Sequence, residues 1–213
     1  MTSEIKNIFR EWEVNEFKFD GFLLGYLGKK ELMDIAEECF DKFAAEGSEV
    51  IIDPVFADNG KLYGGFDLEY VAAMRKLLKR ADIILPNVTE ACFLTGIEYK
   101  ADYDFKLIAQ LEEELAKLTD GKIIITGVEI GNEISEWIYF HNKRREILCH
   151  ERLPEKFHGT GDIFASVFTA NYLSGNGIHN SCKFAAQFVA DCIKKTDKST
   201  HFYGVNFEHV LKK

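Results

Sequence analysis

Several signals that define large classes of protein are missing from these 213 residues. No apolar stretch is long enough to span a membrane, and the charged start MTSEIKNIFREWEV is unlike a signal peptide. The net charge of −9 argues against a surface for nucleic acid, whose phosphates require clustered Lys and Arg. The sequence therefore predicts a protein with no membrane partner and no nucleic-acid partner.

Paired cysteines and internal repeats are missing as well. The five cysteines are scattered, and no two of them form a C-x-x-C pair, so neither a zinc site nor a disulfide framework is indicated. Reduced thiols are typical of the cytosol, and we expect a cytoplasmic protein. Since no low-complexity tract or linker divides the chain, residues 1–213 are expected to form a single domain.

Short β-branched runs alternate with longer helical patterns along the chain. The predicted strands are Phe19–Leu24, Glu49–Ile52, Asp82–Leu85, Lys122–Thr126, Ile134–His141 and Arg145–Cys149. The predicted helices are Glu4–Glu13, Lys30–Ala45, Leu68–Lys79, Thr89–Thr95, Tyr103–Leu118, Asp162–Leu173 and Asn180–Lys194. This alternation predicts an α/β fold, a three-layer α/β/α sandwich with a mainly parallel, Rossmann-like sheet. The last two strands read as a small β-hairpin that turns at Asn142-Lys143.

The stretch HGTGDIF, residues 158–164, places two glycines at the start of a predicted helix. Helix N-termini carry unpaired amides and partial positive charge, and glycines let an anion approach them closely. Asp162 taken alone is as well explained by an N-cap, but with Gly159 and Gly161 around Thr160 a phosphate-binding turn is at least as good an interpretation. An acid beside such an anion hole can accept a proton from an attacking hydroxyl.

Two further polar loops follow predicted strands. Asp53 and Asp58 come after one strand, and Asn87 and Glu90 come after the next. Each pair alone is explained by local structure, a turn in the first case and a capping box in the second. Together with Asp162, however, they would lie at the carboxyl edge of a parallel sheet, where ligands bind and where oxygen ligands could hold magnesium.

The motifs D-P-V-x-x-D, N-x-T-E-A and G-T-G-D, in this order, resemble those of the ribokinase-like sugar and vitamin kinases. The segments GYLG, DPVFADNGKLY and PNVTEACFLTG are most similar to pyridoxal kinases, and the resemblance runs from about Phe19 to the end of the chain. The related hydroxymethylpyrimidine kinases tend to carry a cysteine in place of Asp162, so this residue favours the pyridoxal branch.

The resemblance implies a reaction and a catalytic residue. A pyridoxal kinase transfers a phosphoryl group from ATP to the 5′-hydroxymethyl of pyridoxal, pyridoxine or pyridoxamine, giving pyridoxal 5′-phosphate. Asp162 resembles the base that deprotonates this hydroxymethyl group. The amides of Gly159, Thr160 and Gly161 resemble the anion hole for the γ-phosphate.

The resemblance also implies ligand-binding residues, a metal cofactor and an oligomeric state. Mg²⁺ is expected, and the family pattern also allows a monovalent cation such as K⁺. A homodimer is the expected assembly. The residues carried over are Asp53, Asp58 and Glu90 for the metal, with Glu90 acting through water; Asn87, Thr126 and Tyr63 for the ATP phosphates; and Tyr26 for the pyridine ring.

The sequence departs from the family at its start. GYLG begins at Gly25, whereas in the family it lies well inside the chain, so we expect this sequence to lack the family's N-terminal portion. The early polar residues that recognise the pyridine ring have no counterpart. Two alternatives therefore stay open, another ribokinase-like kinase acting on a hydroxymethylpyrimidine or a sugar, and a nucleotide-binding pseudo-enzyme.

Overall fold

Helices and strands alternate along the chain as predicted. The computed structural model describes residues 2–129, 134–141, 144–151, 153–199, 201 and 203–211. The strands are β1 (Phe19–Leu24), β2 (Ala44–Ile52), β3 (Ala57–Asp58), β4 (Lys61–Leu62), β5 (Ile83–Ile84), β6 (Lys122–Glu129), β7 (Ile134–His141) and β8 (Arg144–Glu151). The helices are α1 (Thr2–Val14), α2 (Glu31–Phe43), α3 (Leu68–Leu77), α4 (Val88–Thr95), α5 (Phe105–Leu115), α6 (Thr160–Asn171), α7 (Gly177–Lys195) and α8 (Glu208–Leu211). Within this described part of the chain, no helix has both the length and the apolarity needed to cross a bilayer.

The main sheet has the strand order β1-β2-β5-β6-β7-β8. Strands β1, β2, β5 and β6 are mutually parallel, whereas β7 pairs antiparallel with β6 and β8 pairs antiparallel with β7. The predicted hairpin is thus confirmed, and it extends the main sheet instead of standing apart from it. Its predicted turn, Asn142-Lys143, lies outside the described residues.

Two apolar layers cover the sheet and confirm the three-layer sandwich. Successive residues of a strand face opposite sides, so Ile51 packs under α6 and α7 while Val50 and Ile52 pack under α2 and α3. The same division applies to β6, where Ile124 contacts the α6–α7 layer and Ile123 the layer of α2–α5. The inner parallel strands β2, β5 and β6 are therefore covered on both faces, which leaves their carboxyl edge as the accessible place for a site.

The helix that opens the chain packs on the outside of α2. Phe9 and Trp12 of α1 both contact Phe43 at the end of α2, with ring centroids 5.2 Å apart in each case. Trp12 also meets Phe19 of β1 edge-on at 4.9 Å. This small aromatic cluster fixes the entry into β1, the strand that leads to Tyr26.

Strand β1 is an edge of the sheet and generates the first prediction. Among the described residues it pairs only with β2, and Leu23 remains 38% exposed on the face where Leu173 lies over Gly21. Unpaired edges with apolar neighbours invite pairing with a second chain. We expect a homodimer or larger species in light scattering at micromolar concentration, and Leu23→Lys should shift it towards monomer.

Leu68→Lys provides the control, because Leu68 is an exposed leucine at the start of α3 and not on this edge. That variant should associate like the parent protein. A parent protein that scatters as a monomer would contradict the prediction.

Candidate active site

The predicted polar loops meet at the carboxyl edge of the parallel strands. Asp53 directly follows β2, and its backbone N–H donates to the carbonyl oxygen of Leu24 in β1 at 2.8 Å. Asn87 follows β5 and forms an isolated parallel bridge with Thr126 of β6. Three loops from distant parts of the sequence are therefore brought side by side by strand pairing alone.

Tyr63 shows that the acidic side chains of these loops are close to one another. Burial, and after it the charges of nearby carboxylates that disfavour a phenolate, together raise the pKa of its phenol to about 12. Those carboxylates, in decreasing order of effect, are Asp58, Glu90, Asp162 and Asp53. The structure thus assembles these residues around one point, although they belong to separate loops of the chain.

Two of these carboxylates are buried. Burial raises the pKa of Asp53 to about 7, and the charge of Asp162 adds to the effect. Burial also raises the pKa of Glu90 well above its usual range, with Asp53 as the next cause and three backbone amides opposing it. The site holds more negative charge than its surroundings neutralise, so it favours either protons or a bound cation.

The donor set fits a magnesium ion that arrives with phosphates. Among the described residues, no group of three or more His, Cys, Asp or Glu side chains is arranged to hold a metal ion by itself. Magnesium commonly keeps several waters and takes one or two carboxylates together with substrate phosphates. A divalent cation beside Asp53 would offset its repulsion with Asp162, so the residues present fit such an ion.

In the first turn of α4, the side chains of Asn87 and Glu90, both predicted as ligand-binding, form hydrogen bonds with backbone groups of the protein itself. Asn87 accepts a hydrogen bond from the Glu90 N–H and Glu90 Oε2 accepts one from the Asn87 N–H, both at 2.9 Å, which is a capping box. Glu90 Oε1 also accepts from the N–H groups of Phe56 and Ala57 at 3.1 and 3.4 Å. Asn87 Nδ2 donates to the Ala57 carbonyl at 2.8 Å. Glu90 is therefore committed mainly to backbone amides, consistent with an action on a metal only through water.

A two-strand hairpin that the sequence analysis did not predict carries Asp58. Strands β3 and β4 pair antiparallel around Asn59 and Gly60, whose φ angles of 51° and 77° are those of a tight type I′ turn. The Asn-Gly dipeptide, a strong hairpin signal, could have revealed it. Tyr63 follows β4 and donates its N–H to the Phe56 carbonyl at 2.9 Å. The hairpin thus sets the positions of both Asp58 and Tyr63.

Helix α6 begins at Thr160 and is capped by Gly159, whose φ of 82° requires glycine or a strained residue. The interpretation of Asp162 as an N-cap is therefore wrong, because Asp162 is the third residue of the helix. The first amides of a helix have no partner within it, and here they lie beside Asp162. Gly159 and Gly161 are exposed, and apart from the adjoining residues and the helix backbone no atom lies within 4 Å of the place where a Cβ would stand at either, so an anion has room to approach this turn.

Tyr26 belongs to an aromatic wall that follows β1. Its ring is 62% exposed and meets Phe66 edge-on at 5.5 Å, and Phe66 packs on Tyr70 at 4.3 Å. Burial raises the pKa of Tyr70 to about 12, with smaller contributions from Tyr26 and Glu90. The wall therefore lies near the carboxylates. Phe66 and Tyr70 were not predicted, because in the sequence they are ordinary aromatic residues of a loop and a helix.

Thr126 helps to shape the edge of the sheet through a backbone hydrogen bond. Its N–H donates to the Pro86 carbonyl at 2.9 Å, which continues the pairing of β5 with β6 beyond the last regular residue of β5. The threonine side chain is half-buried at the same edge as Asp53. Its predicted contact with phosphate or ribose stays a prediction.

Comparison with known proteins gives a family. The model of the phosphomethylpyrimidine kinase family matches residues 1–206. The hydroxymethylpyrimidine/phosphomethylpyrimidine kinase of Aquifex aeolicus is 27% identical over 92% of this chain and 73% of its own length. The pyridoxal kinase of Arabidopsis thaliana is 30% identical over 73% of this chain, but only 52% of its own length is matched.

A solved structure supports the same grouping. A Bacteroides thetaiotaomicron protein assigned as a phosphomethylpyrimidine kinase, in a crystal form with pyridoxal, is 31% identical and superposes with a TM-score of 0.89. The match covers 99% of this chain and 76% of that protein. The chain therefore spans between about half and three quarters of the length of these relatives.

The raised pKa of Asp53 predicts a pH-dependent stability. Between its unfolded value of about 4 and its folded value of about 7, the folded state binds a proton that the unfolded state lacks, so stability falls as pH rises through this window. Asp53→Asn cannot ionise and should escape this loss. We therefore compare the unfolding free energy of Asp53→Asn with that of the parent protein at each pH. The difference in favour of the variant should be larger at pH 8 than at pH 5 by about 2 kcal/mol.

Urea unfolding at the two pH values measures the effect. Asp20→Asn, an exposed acid on β1, serves as the control and should give no comparable difference between the two pH values. A gain for Asp53→Asn that is the same at both pH values would contradict the assignment.

Proposed function

Because the chain belongs to the phosphomethylpyrimidine kinase family, we propose that it transfers the γ-phosphoryl group of ATP to the 5′-hydroxymethyl of pyridoxal, pyridoxine or pyridoxamine. The observation that carries the proposal is the position of Asp162. Its carboxylate lies in the first turn of α6, beside the helix amides and within the electrostatic range of Asp53 and Tyr63. An acid and an anion-binding helix start are the two groups that phosphoryl transfer to an alcohol needs.

The proposed reaction is a direct transfer. Asp162 accepts the proton of the substrate hydroxyl. The hydroxyl oxygen forms a bond to the γ-phosphorus as the bond from that phosphorus to the bridging oxygen of ADP breaks. The amides at the start of α6 donate hydrogen bonds to the oxygens of the transferring group. Tyr63, at the base of the hairpin, lies where it can shield this group from water.

Magnesium, when bound, supplies positive charge to the ATP phosphates. Asp53 and Asp58 are the residues that would hold it, with Glu90 acting through water. The electrostatic repulsion between Asp53 and Asp162 supports this assignment, since the ion would reduce it.

The aromatic wall favours a flat heteroaromatic acceptor. Tyr26 offers an exposed ring braced by Phe66 and Tyr70, which suits stacking with a pyridine ring. A pyrimidine ring would stack in the same way, and hydroxymethylpyrimidine is the second candidate because the Aquifex relative is named for it. The acid at position 162 favours the pyridine compounds.

A coupled assay that follows ADP formation tests the proposal on the chain as it stands. We expect turnover with pyridoxal to exceed turnover with hydroxymethylpyrimidine, and EDTA to abolish it. Preference for hydroxymethylpyrimidine would move the function to the second candidate. Binding of ATP without turnover on either compound would favour a nucleotide-binding pseudo-enzyme.

Asp162→Asn should separate catalysis from stability. Loss of a general base should lower turnover by roughly 10²–10⁴-fold. Because Gly159 and not Asp162 caps α6, only two small effects on stability remain. The variant loses the helix-dipole contribution, about 0.3–1 kcal/mol, and it relieves the repulsion with Asp53, so the unfolding free energy should change by no more than about 1 kcal/mol. Turnover in the coupled assay and urea unfolding measure the two effects.

Asp34→Asn is a matched control, since Asp34 is an acid in the first turn of α2. It should show a similarly small change of stability and unchanged turnover. Near-full activity of Asp162→Asn would remove Asp162 from the mechanism.

A further inference from the structure

Thr89, the threonine of the N-x-T-E-A motif, links α4 to the hairpin of β3 and β4 by a hydrogen bond. It is 3% exposed, and its Oγ1 accepts a hydrogen bond from the N–H of Gly60 at 3.0 Å. Asn87 and Glu90 bind the first strand of the same hairpin, at Ala57. Thr89 differs from them because it binds the turn itself.

The turn at Gly60 is held from a second side by Tyr99. A Cβ at Gly60 would come within 2.5 Å of Tyr99 Cδ1, so the tyrosine ring lies directly against the glycine backbone. Gly60 also has a positive φ of 77°, which glycine adopts without strain. Gly60 is therefore held by Thr89 at its amide and by the Tyr99 ring at its Cα. Of these two contacts with Gly60, only the one with Thr89 is a hydrogen bond, which fixes the direction of the amide.

The position of this turn determines the geometry of the acidic site. Asp58 ends β3, one residue before the turn, and Tyr63 follows β4 on the other side of it. Asp58 is also the carboxylate with the largest effect on the pKa of Tyr63, so the two side chains face the same space. A turn released at Gly60 would move both groups together.

We propose that Thr89 is a positioning residue, which fixes Asp58 and Tyr63 relative to the phosphoryl-transfer site by anchoring the Gly60 amide. The proposal rests on the proposed kinase function for its catalytic consequence. Thr89 does not act on a ligand directly, because it is buried and its oxygen already accepts from Gly60. Its effect on ATP is transmitted through the hairpin.

Two substitutions isolate the hydroxyl group. Thr89→Val keeps the branched shape and removes the hydroxyl, which leaves the Gly60 amide without its partner and also removes the hydrogen bond between Thr89 and the phenol of Tyr99. Thr89→Ser keeps the oxygen. For the valine variant we expect hydrogen exchange of the Gly60 amide to accelerate about ten-fold and the KM for ATP to rise about five-fold, with a smaller change in kcat. The serine variant should stay close to the parent protein in all three quantities.

Thr119→Val is a matched control at the opposite edge of the sheet. Thr119 is also buried, and its Oγ1 accepts from the N–H of Gly121 at the same distance of 3.0 Å. The variant should lose stability as Thr89→Val does, but its KM for ATP and the exchange of the Gly60 amide should not change.

The outcomes separate this proposal from the proposed function. Unchanged exchange at Gly60 in Thr89→Val overturns the positioning role, and so does an equal rise of KM in Thr89→Val and Thr119→Val. If the parent protein shows no turnover, the proposed function fails, and calorimetric ATP affinity together with exchange at Gly60 still decides the role of Thr89. A weakened affinity restored by Thr89→Ser supports it.

Discussion

The buried carboxylate of Glu90 is the interaction on which the rest of the site depends. It accepts hydrogen bonds from the amides of Phe56, Ala57 and Asn87, and so ties the segment after β2 to the first turn of α4. A carboxylate placed in an apolar interior is unfavourable unless such donors surround it. Together with the bonds of Asn87 to Ala57 and of Thr89 to Gly60, these bonds fix the hairpin relative to α4.

The buried carboxylate of Asp53 lowers the stability of the ligand-free site. Among the described residues, none donates a hydrogen bond to the Asp53 carboxylate, and its burial, with the nearby charge of Asp162, raises its pKa to about 7. A carboxylate kept in that state weakens the ligand-free fold above neutral pH. Such local destabilisation is expected where a protein must bind a cation or a proton, since the same repulsion becomes attraction when the ligand arrives.

The helices α4 and α6 both begin at the carboxyl edge of the sheet, but their N-termini are capped in different ways. The start of α4 is closed by its own side chains, because Asn87 and Glu90 form a capping box. The start of α6 is capped by Gly159, which has no side chain, so its amides remain open. One helix terminus therefore holds the loops, whereas the amides of the other have no side-chain cap. Asp162 lies in the first turn of the helix without a side-chain cap, and this is the reason for proposing it as the base.

The six strands of the main sheet, the helices α1 to α7 and the three-layer arrangement could be predicted from the sequence, because alternating apolar patterns are local properties of the chain. The hairpin of β3 and β4 was not predicted, although its Asn-Gly turn is also a local signal. Three features required the folded structure: the repulsion between Asp53 and Asp162, the packing of Tyr99 against Gly60, and the capping of α6 by Gly159. Proximity between carboxylates, burial and ring contacts arise from packing between segments far apart in sequence, and the left-handed conformation at Gly159 depends on where α6 begins. No local pattern encodes them.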